Sequence, residues 1–227
     1  MDKTNFFNLI NAGNINSGLL SENFVQSYED FFNFPVNLKG LPILVAADPA
    51  VFEFSSEDVF EIPEDEILTK VYDLANKEYV GYQHAFHSNN FLSRFRVKKS
   101  FKKIEKKIIL QNQRVFDEVA RIKETYKIVG AFQTRNIPHF GHEKIIERML
   151  ELCDHVVINP VIGPKKNGDV KLEVLEMIYE YLISHKYEYR ISFLPIFANM
   201  FYAGPNEAIH HAILRQKIGF DLFSVGR

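Results

Sequence analysis

From Lys127 onward, short apolar runs alternate with longer stretches whose apolar residues recur at helical spacing. The apolar runs predict four β-strands, at 127–132, 155–159, 191–195 and 222–225. The helical spacing predicts three helices, from about His142, over 170–185, and from Pro205 to about Lys217. Strand–helix alternation of this kind is typical of a parallel sheet with helices on both faces. The predicted fold class of this region is therefore α/β, a Rossmann-like half.

Residues 1–126 have a different pattern. Short apolar runs, such as 41–47, are interrupted by Asn, Gly and Pro, and strands and helices do not alternate over any long stretch. This pattern predicts a mostly β region with a few helices. We therefore expect two domains, a β-rich one at 1–126 and an α/β one at 127–227.

Composition mainly excludes classes of protein and kinds of site. The 227 residues are 46% apolar, which is a globular composition, and the formal net charge is only −2. A charge this small creates no overall field that would recruit nucleic acid or an anionic membrane. The single cysteine, Cys153, excludes an internal disulfide framework and a Cys-based zinc site. Neither a secretory signal nor a membrane-spanning run is visible, so we expect the cytoplasm.

Two blocks of like charge lie in the first region, an acidic one at 53–66 and a basic one at 94–107. The basic block could bind nucleic-acid phosphates. The alternative is a solvated strand or helix face, which the near-neutral net charge and the lack of a nucleic-acid fold signature favour. His84 and His87 have the spacing of metal ligands, but without a nearby cysteine or carboxylate motif we interpret them as part of a surface loop.

The candidate chemistry is concentrated in residues 133–142, between the first predicted strand and the first predicted helix. A helix start offers unpaired backbone N–H groups and the positive end of the helix dipole to an anion above the loop. His139 and His142 add donors that phosphate oxygens can use. The pattern predicts a site for a nucleotide triphosphate.

Other polar residues are expected near this loop. Gln133, Asn159 and Gly226 each follow a predicted strand. In open parallel sheets, ligands bind beyond the carboxyl ends of the strands. One cleft could therefore collect all three residues.

The segment Gln133-Thr134-Arg135-Asn136, followed by His139 and His142, resembles the signature of the ATP sulfurylases (sulfate adenylyltransferases). These enzymes belong to the HxGH nucleotidyltransferase superfamily. Three further segments resemble the family's later signatures in the same order, at 159–169, 202–215 and 223–227. Residues 11–24 bear a weaker resemblance to the family's opening segment, and the family's N-terminal domain is a β-rich, PUA-like module.

The resemblance implies a PUA-like N-terminal domain at 1–126 and a nucleotidyltransferase catalytic domain at 127–227. It implies transfer of the adenylyl group of ATP to sulfate, which gives adenosine 5′-phosphosulfate and pyrophosphate. A sulfate oxygen attacks the α-phosphorus in line. Catalysis would then consist of holding two anions together and stabilising the transition state, without a nucleophilic side chain.

The resemblance also implies roles for single residues. Gln133 and Arg135 would bind sulfate, the arginine through its planar fork of donors. His139 and His142 would donate hydrogen bonds to the phosphates of ATP, and Asn136 would order the loop. The implied catalytic residues are Arg135, Asn136, His139 and His142, and the implied nucleotide-binding residues are these four with Gln133, Thr134, Gly226 and Arg227. Mg²⁺ would arrive with ATP, since the sequence shows no dedicated carboxylate cage.

The chain departs from the family's pattern at three places. Between the two histidines it has Phe140 and Gly141, where the family has a basic and a small residue, and Ile137 precedes the loop proline. Phe201 and Asn206 occupy positions of family arginines, and each lost charge-assisted hydrogen bond would cost about tenfold or more in affinity or rate. The family continues beyond Arg227 with Asp-His-Ala-Gly, so we expect a truncated member with an incomplete catalytic domain.

Three functions stay open at this point. The leading hypothesis is a sulfate adenylyltransferase, with ATP and sulfate as its partners. The missing arginines motivate a nucleotidyltransferase that acts on another acceptor, such as a phosphorylated small molecule. The missing loop motivates an ATP-binding protein that has lost turnover. The resemblance is compatible with a homo-oligomer and with either direction of reaction in the cell, sulfate assimilation or ATP formation.

Overall fold

A computed structural model describes residues 3–19, 49–53, 59–61, 91–93, 96–164 and 170–225. The chain divides into two compact units. The first unit comprises Met1–Leu110 and Ala198–His211, and the second comprises Gln111–Phe197 and Ala212–Arg227. The domain boundary at residues 126–127 stays a prediction.

In the first unit, the described residues contain helix α1 (Lys3–Asn16), two short antiparallel pairs of strands, and the first parts of two later helices that are divided between the units. The pairs are β1 (Phe52–Glu53) with β4 (Arg96–Val97), and β2 (Val59–Glu61) with β3 (Phe91–Ser93). The β-rich, PUA-like character of residues 1–126 stays a prediction. The apolar run at 41–47 and the histidines at 84 and 87 lie outside the described residues.

A long helix, α2 (Lys102–Thr125), follows a short 3₁₀ turn at Lys99–Phe101. Its buried apolar residues share one stripe at helical spacing, namely Ile108, Val115, Val119 and Ile122. The lysines at 102, 103, 106 and 107 are exposed. This part of the basic block therefore lies on an exposed face of α2.

In the second unit, the four predicted strands form one parallel sheet in the order β10-β5-β6-β8. Its strands are β5 (Val129–Phe132), β6 (His155–Ile158), β8 (Ile191–Phe193) and β10 (Leu222–Ser224). The helices of the predicted alternation are α3 (Phe140–Met149), α4 (Leu172–His185) and α5 (Pro205–Ile218). A short parallel pair, β7 (Val161–Ile162) with β9 (Ile196–Phe197), was not predicted. The α/β fold class is confirmed.

The order of the strands locates a favoured ligand position. The chain builds β5, β6 and β8 side by side in one direction, and then places β10 on the opposite side of β5. The direction of winding therefore reverses between β5 and β10, where Phe132 pairs with Ser224. In open α/β sheets, ligands bind outside the carboxyl ends of the strands at such a reversal.

The core of the second unit lies between the sheet and its helices, and it includes Phe132, Ile146, Met149 and Tyr179. Helix α3 and the turn after it come so close to β5 that a Cβ on Gly130 would lie 3.0 Å from the Cε atom of Met149 and 2.9 Å from the Sγ atom of Cys153. Cys153 is buried, which raises the pKa of its thiol, so it acts as a core residue here. No helix within the described residues is long and apolar enough to span a bilayer.

Candidate functional site

The loop 133–139 leaves the carboxyl end of β5 and ends where α3 begins. His139 is the N-cap residue of α3, with an extended backbone (φ −135°, ψ 173°). Its Nδ1 atom accepts a hydrogen bond from the backbone N–H of Gly141 at 3.1 Å. Since Nδ1 accepts, the neutral ring carries its proton on Nε2. The exposed side chain of His139 can therefore donate through Nε2 to an anion.

Thr134 holds the start of the loop in place. Its side chain is buried, and its Oγ1 atom accepts a hydrogen bond from the backbone N–H of Asn136 at 3.2 Å. This is a local side-chain-to-backbone turn of the kind that threonine favours. The same oxygen lies 3.5 Å from Nε2 of His142. The beginning of the loop and the first turn of α3 thus meet at Thr134.

The two imidazoles lie beside each other. Their ring centroids are 4.0 Å apart with an interplanar angle of 33°, and the ring of His142 also meets the edge of Phe132 at 5.7 Å. Burial and the neighbouring charge of His139 lower the pKa of His142 below 6.5, offset in part by a backbone hydrogen bond with Ile137. These causes favour the neutral form of His142.

Gly141 is required by a close approach. A Cβ at this position would lie 3.0 Å from Cε1 and 3.2 Å from Nδ1 of His139. The group that comes close is the ring of His139, so the glycine sets the position of that ring.

The remaining predicted residues share the same loop or fall beyond the described chain. Gln133 and Arg135 are half-buried, and Asn136 is exposed. Beside them, Ile137 and Phe140 expose 50% and 74% of their surface, so the loop lies open to solvent. Gly226 and Arg227 lie outside the described residues. The structure thus brings six of the eight predicted nucleotide-binding residues into one loop and helix start.

Asn159 differs from its expected place in an open cleft. It is completely buried, and its Nδ2 atom donates to the carbonyl of Leu194 at 2.5 Å. Its backbone N–H donates to the carbonyl of Phe132 at 2.9 Å. The Nδ2 atom of Asn159 therefore ties the ends of β6 and β8 together, whereas its buried Oδ1 atom has no hydrogen-bond partner among the described residues.

Arg215 is a residue that sequence reasoning did not place in this region. Its side chain is 1% exposed, and its Nη2 atom donates to the carbonyl of Asn159 at 3.1 Å. The guanidinium carbon lies 5.3 Å from the centre of the Phe223 ring in β10. In the sequence, the only signal for Arg215 was that it lies in the third signature segment. The spacing of apolar residues predicts which apolar side chains are buried and says nothing about a buried arginine.

Phe201, which occupies the position of the expected family arginine, lies in the interior of the first unit. Its ring makes edge contacts with Phe7 at 5.4 Å and with His210 at 5.5 Å between centroids. Its backbone N–H donates to the buried carboxylate of Glu207 at 3.0 Å, which also lies 2.6 Å from Nε2 of His211. The phenylalanine therefore has an apolar packing role in this chain. Asn206 is half-buried in the first turn of α5.

A cavity of about 420 Å³ lies elsewhere in the second unit, along β8. It is lined by parts of α2 and α4 and by Tyr126, His155 and Ser192, and no residue of the loop 133–142 lines it. Within the described part of the chain, no group of three or more His, Cys, Asp or Glu residues could hold a metal ion.

Comparison with known proteins assigns the chain to a family. The ATP-sulfurylase family model matches residues 106–227, which is more than half of the chain. The protein belongs to the ATP-sulfurylase family. The match covers the loop 133–142 and the whole parallel sheet, and it also takes in most of α2, which lies before the predicted domain boundary.

Among curated relatives, the sulfate adenylyltransferase of Pyrococcus abyssi is 35% identical over 173 residues, which cover 75% of this chain and 45% of that protein. The enzyme of the same name from Ignicoccus hospitalis is 47% identical over 103 residues, or 45% of this chain and 27% of that protein. The chain spans less than half the length of these relatives.

Among solved structures, the chain is similar to one described as a hexameric APS kinase from Thiobacillus denitrificans. The sequence identity is 14% and the TM-score is 0.40, with 60% of this chain and 28% of that chain covered. A TM-score of this size supports no conclusion about the fold or the assembly of this ATP-sulfurylase family member.

Proposed function

We propose that the protein is a sulfate adenylyltransferase, which transfers the adenylyl group of ATP to sulfate and releases pyrophosphate. The observation that carries the proposal is the loop 133–142. It holds the family's Gln-Thr-Arg-Asn and two-histidine motif, and it lies where the winding of the parallel sheet reverses. Membership in the ATP-sulfurylase family supports the same activity.

In this proposal the start of α3 binds the phosphates of ATP. The first backbone N–H groups of a helix have no partner within the helix and point toward an anion above its end. His139 donates through Nε2, and His142 stands 4.0 Å from it, centroid to centroid, at the same helix start. Thr134 and Asn136 keep the loop in the shape that presents these donors.

Gln133 and Arg135 bind the sulfate in this proposal. The planar guanidinium of arginine matches the spacing of two oxygens of a tetrahedral anion. A sulfate oxygen then attacks the α-phosphorus, a new P–O bond forms, and the bond to pyrophosphate breaks. Because both substrates are anions, the main contribution of the protein is to hold them in line and to stabilise the charge that builds up. Mg²⁺ enters as part of the Mg·ATP substrate.

The same proposal extends to the parts of the chain around the site. We take the sheet as the Rossmann-like fold of the HxGH nucleotidyltransferases, and residues 1–126 as the PUA-like N-terminal domain. Gly226 and Arg227 would approach the nucleotide from the end of β10. We further propose that the protein works in the cytoplasm, that it serves sulfate assimilation and that it assembles as a homo-oligomer.

One observation favours a second candidate, a nucleotidyltransferase with another acceptor. Phe201, which replaces a family arginine, is 2% exposed and packs against Phe7. Position 201 thus supplies no cation to an anionic acceptor in this chain. An acceptor with further groups to bind, such as a phosphorylated small molecule, would tolerate the loss of one cation better than sulfate.

A test is the release of pyrophosphate from Mg·ATP, measured with and without sulfate. Sulfate adenylyltransferase activity requires that pyrophosphate appear only when sulfate is added. Release with a phosphorylated acceptor, but not with sulfate, would support the second candidate. Saturable ATP binding without turnover on any acceptor would contradict both enzymatic functions.

A further inference from the structure

The carboxyl ends of three of the four parallel strands, β5, β6 and β8, are joined by buried hydrogen bonds. The backbone N–H of Asn159 donates to Phe132 at the end of β5, and the backbone N–H of Leu194 donates to Ile158 at the end of β6, each at 2.9 Å. The side chain of Asn159 donates to the carbonyl of Leu194. These bonds connect β5, β6 and β8 at one level.

Arg215 completes this chain of contacts. Its Nη2 atom donates to the carbonyl of Asn159 at 3.1 Å, and its guanidinium lies against the ring of Phe223 in β10. The arginine thus reaches from the end of β6 to β10, across the position of β5 in the strand order. We call Arg215, Asn159 and Phe223 the strand-end clamp.

We propose that Arg215 is a positioning residue, which holds the strand ends beneath the loop 133–142 in the arrangement that binds the nucleotide. This inference rests on the proposed function, because it concerns the same site. Phe132, the acceptor of the Asn159 N–H, is the residue directly before Gln133. A displacement of Phe132 at the strand ends therefore also displaces Gln133, the first residue of the loop, because one peptide bond joins them.

The chemistry of arginine explains why this residue type occupies the position. A guanidinium does not lose its proton in proteins, so Arg215 carries a permanent positive charge although it is 1% exposed. Burying a charge costs free energy that a well-packed apolar residue would not. The planar fork can meet a carbonyl at its edge while its face lies on an aromatic ring, which lysine cannot do. The cation also lies at the end of the sheet to which the anionic substrates would come.

The test compares Arg215→Met with the wild type in Mg·ATP affinity, by calorimetry well below the unfolding temperature. We expect the affinity for Mg·ATP to fall by about tenfold or more. The variant loses the charge-assisted hydrogen bond to the carbonyl of Asn159 and, with it, the alignment of the strand ends. Arg215→Lys keeps the charge and one donor, and should recover part of the affinity. If Arg215→Met does not fold, Phe223→Leu removes the ring beneath the guanidinium and replaces it in the same comparison.

Two matched controls separate positioning from a general loss of stability. Val119→Ala removes buried apolar volume from α2, and should lower the unfolding temperature without changing the affinity. Arg190→Met removes another arginine that donates to a backbone carbonyl, that of Leu150 at 3.0 Å, but Arg190 lies at the amino end of β8. An affinity in Arg215→Met equal to that of the wild type, or an equal loss in Val119→Ala, would overturn the proposal.

Hydrogen exchange tests, in the ligand-free protein, whether Arg215 stabilises the strand ends. In Arg215→Met we expect faster exchange of the backbone amides of Asn159 and Leu194, at the carboxyl ends, than in the wild type. The amide of Asp154, which donates to Ile128 at the amino ends, should keep its protection. Equal acceleration at both ends would overturn the clamp even if ATP binds. Failure of the wild type to bind ATP would instead refute the proposed function, and the clamp would then be judged by exchange alone.

Discussion

His139 and His142 stand so close that the charge of one ring affects the other. Burial and His139 lower the pKa of His142, so at neutral pH the neutral form predominates. A bound triphosphate would stabilise the protonated ring and raise that pKa. We therefore predict that the affinity for ATP rises as the pH falls from 8 to 6, beyond the change caused by protonation of ATP itself.

Calorimetry on the wild type and on His142→Asn over this pH range checks the prediction. The variant keeps a polar side chain at position 142 that does not titrate, so it reports the pH dependence that comes from ATP and from all groups other than His142. The same pH dependence in both proteins would show that His142 does not take up a proton on binding.

Arg135 and His142 are assigned to different substrates. We predict that Arg135→Ala abolishes sulfate-dependent release of pyrophosphate and leaves ATP affinity within about twofold of the wild type, since the proposed role of its guanidinium is to bind the second anion. His142→Ala should weaken ATP binding itself. Affinity and turnover measured on both variants test the assignment. An equal loss of ATP affinity in the two variants would contradict it.

At the scale of elements, the start of α3 depends on Gly141. Alanine there would push against the ring of His139, with its Cβ 3.0 Å from Cε1. Alanine also favours a helix over glycine by up to about 1 kcal/mol, so the helix itself should not suffer. We predict that Gly141→Ala lowers ATP affinity while the unfolding temperature stays the same or rises.

Arg148→Ala is the control for Gly141→Ala, because Arg148 is an exposed residue near the opposite end of the same helix. It should leave ATP affinity unchanged. If Gly141→Ala binds ATP as the wild type does, the position of the His139 ring has no part in binding.

The elements of the second unit could be predicted because their signals are local. The apolar runs gave β5, β6, β8 and β10, and the motif gave the loop 133–142. Helix α2 was missed although Ile108, Val115 and Val119 follow helical spacing, because the lysines before them were considered only as a charge block. The paired strands β7 and β9 have two residues each, which is too short for any periodic pattern.

The interior of the candidate site was less predictable. The sequence placed Asn159 at the end of a strand, but whether its side chain faces a cleft or Leu194 depends on tertiary packing. The burial of Arg215 depends in the same way on Asn159 and Phe223, which are distant in sequence. Motifs identify residues near a site, whereas the direction of each side chain is set by the fold.

At the scale of the whole molecule, His155 should make stability depend on pH. It is buried, with Nε2 3.0 Å from the Ser192 hydroxyl oxygen and its ring tilted against that of Tyr126, 4.8 Å away between centroids. Burial, with a smaller contribution from Arg190, lowers its pKa from 6.5 to about 4. The folded state therefore binds this proton more weakly than the unfolded state. The contribution to stability is complete above pH 6.5 and is lost as the pH falls toward 4.

The loss would amount to at most about 3 kcal/mol for this one group. Urea unfolding at pH 7.5 and pH 4.5 measures it, with His155→Gln as the variant that cannot titrate. We predict a smaller difference between the two pH values in the variant than in the wild type. An unchanged difference would assign the pH dependence to other groups, such as the buried carboxylate of Glu207, whose pKa burial raises but His211 holds below its ordinary value.

The most direct test of the central claim is an NMR titration of the ¹⁵N-labelled protein with Mg·ATP. The account predicts saturable shifts concentrated in the amides of residues 133–142, with smaller ones at the strand ends near Asn159 and Ser224. Saturable shifts confined to the cavity along β8, around Tyr126 and Ser192, would contradict it. So would the absence of any saturable shift.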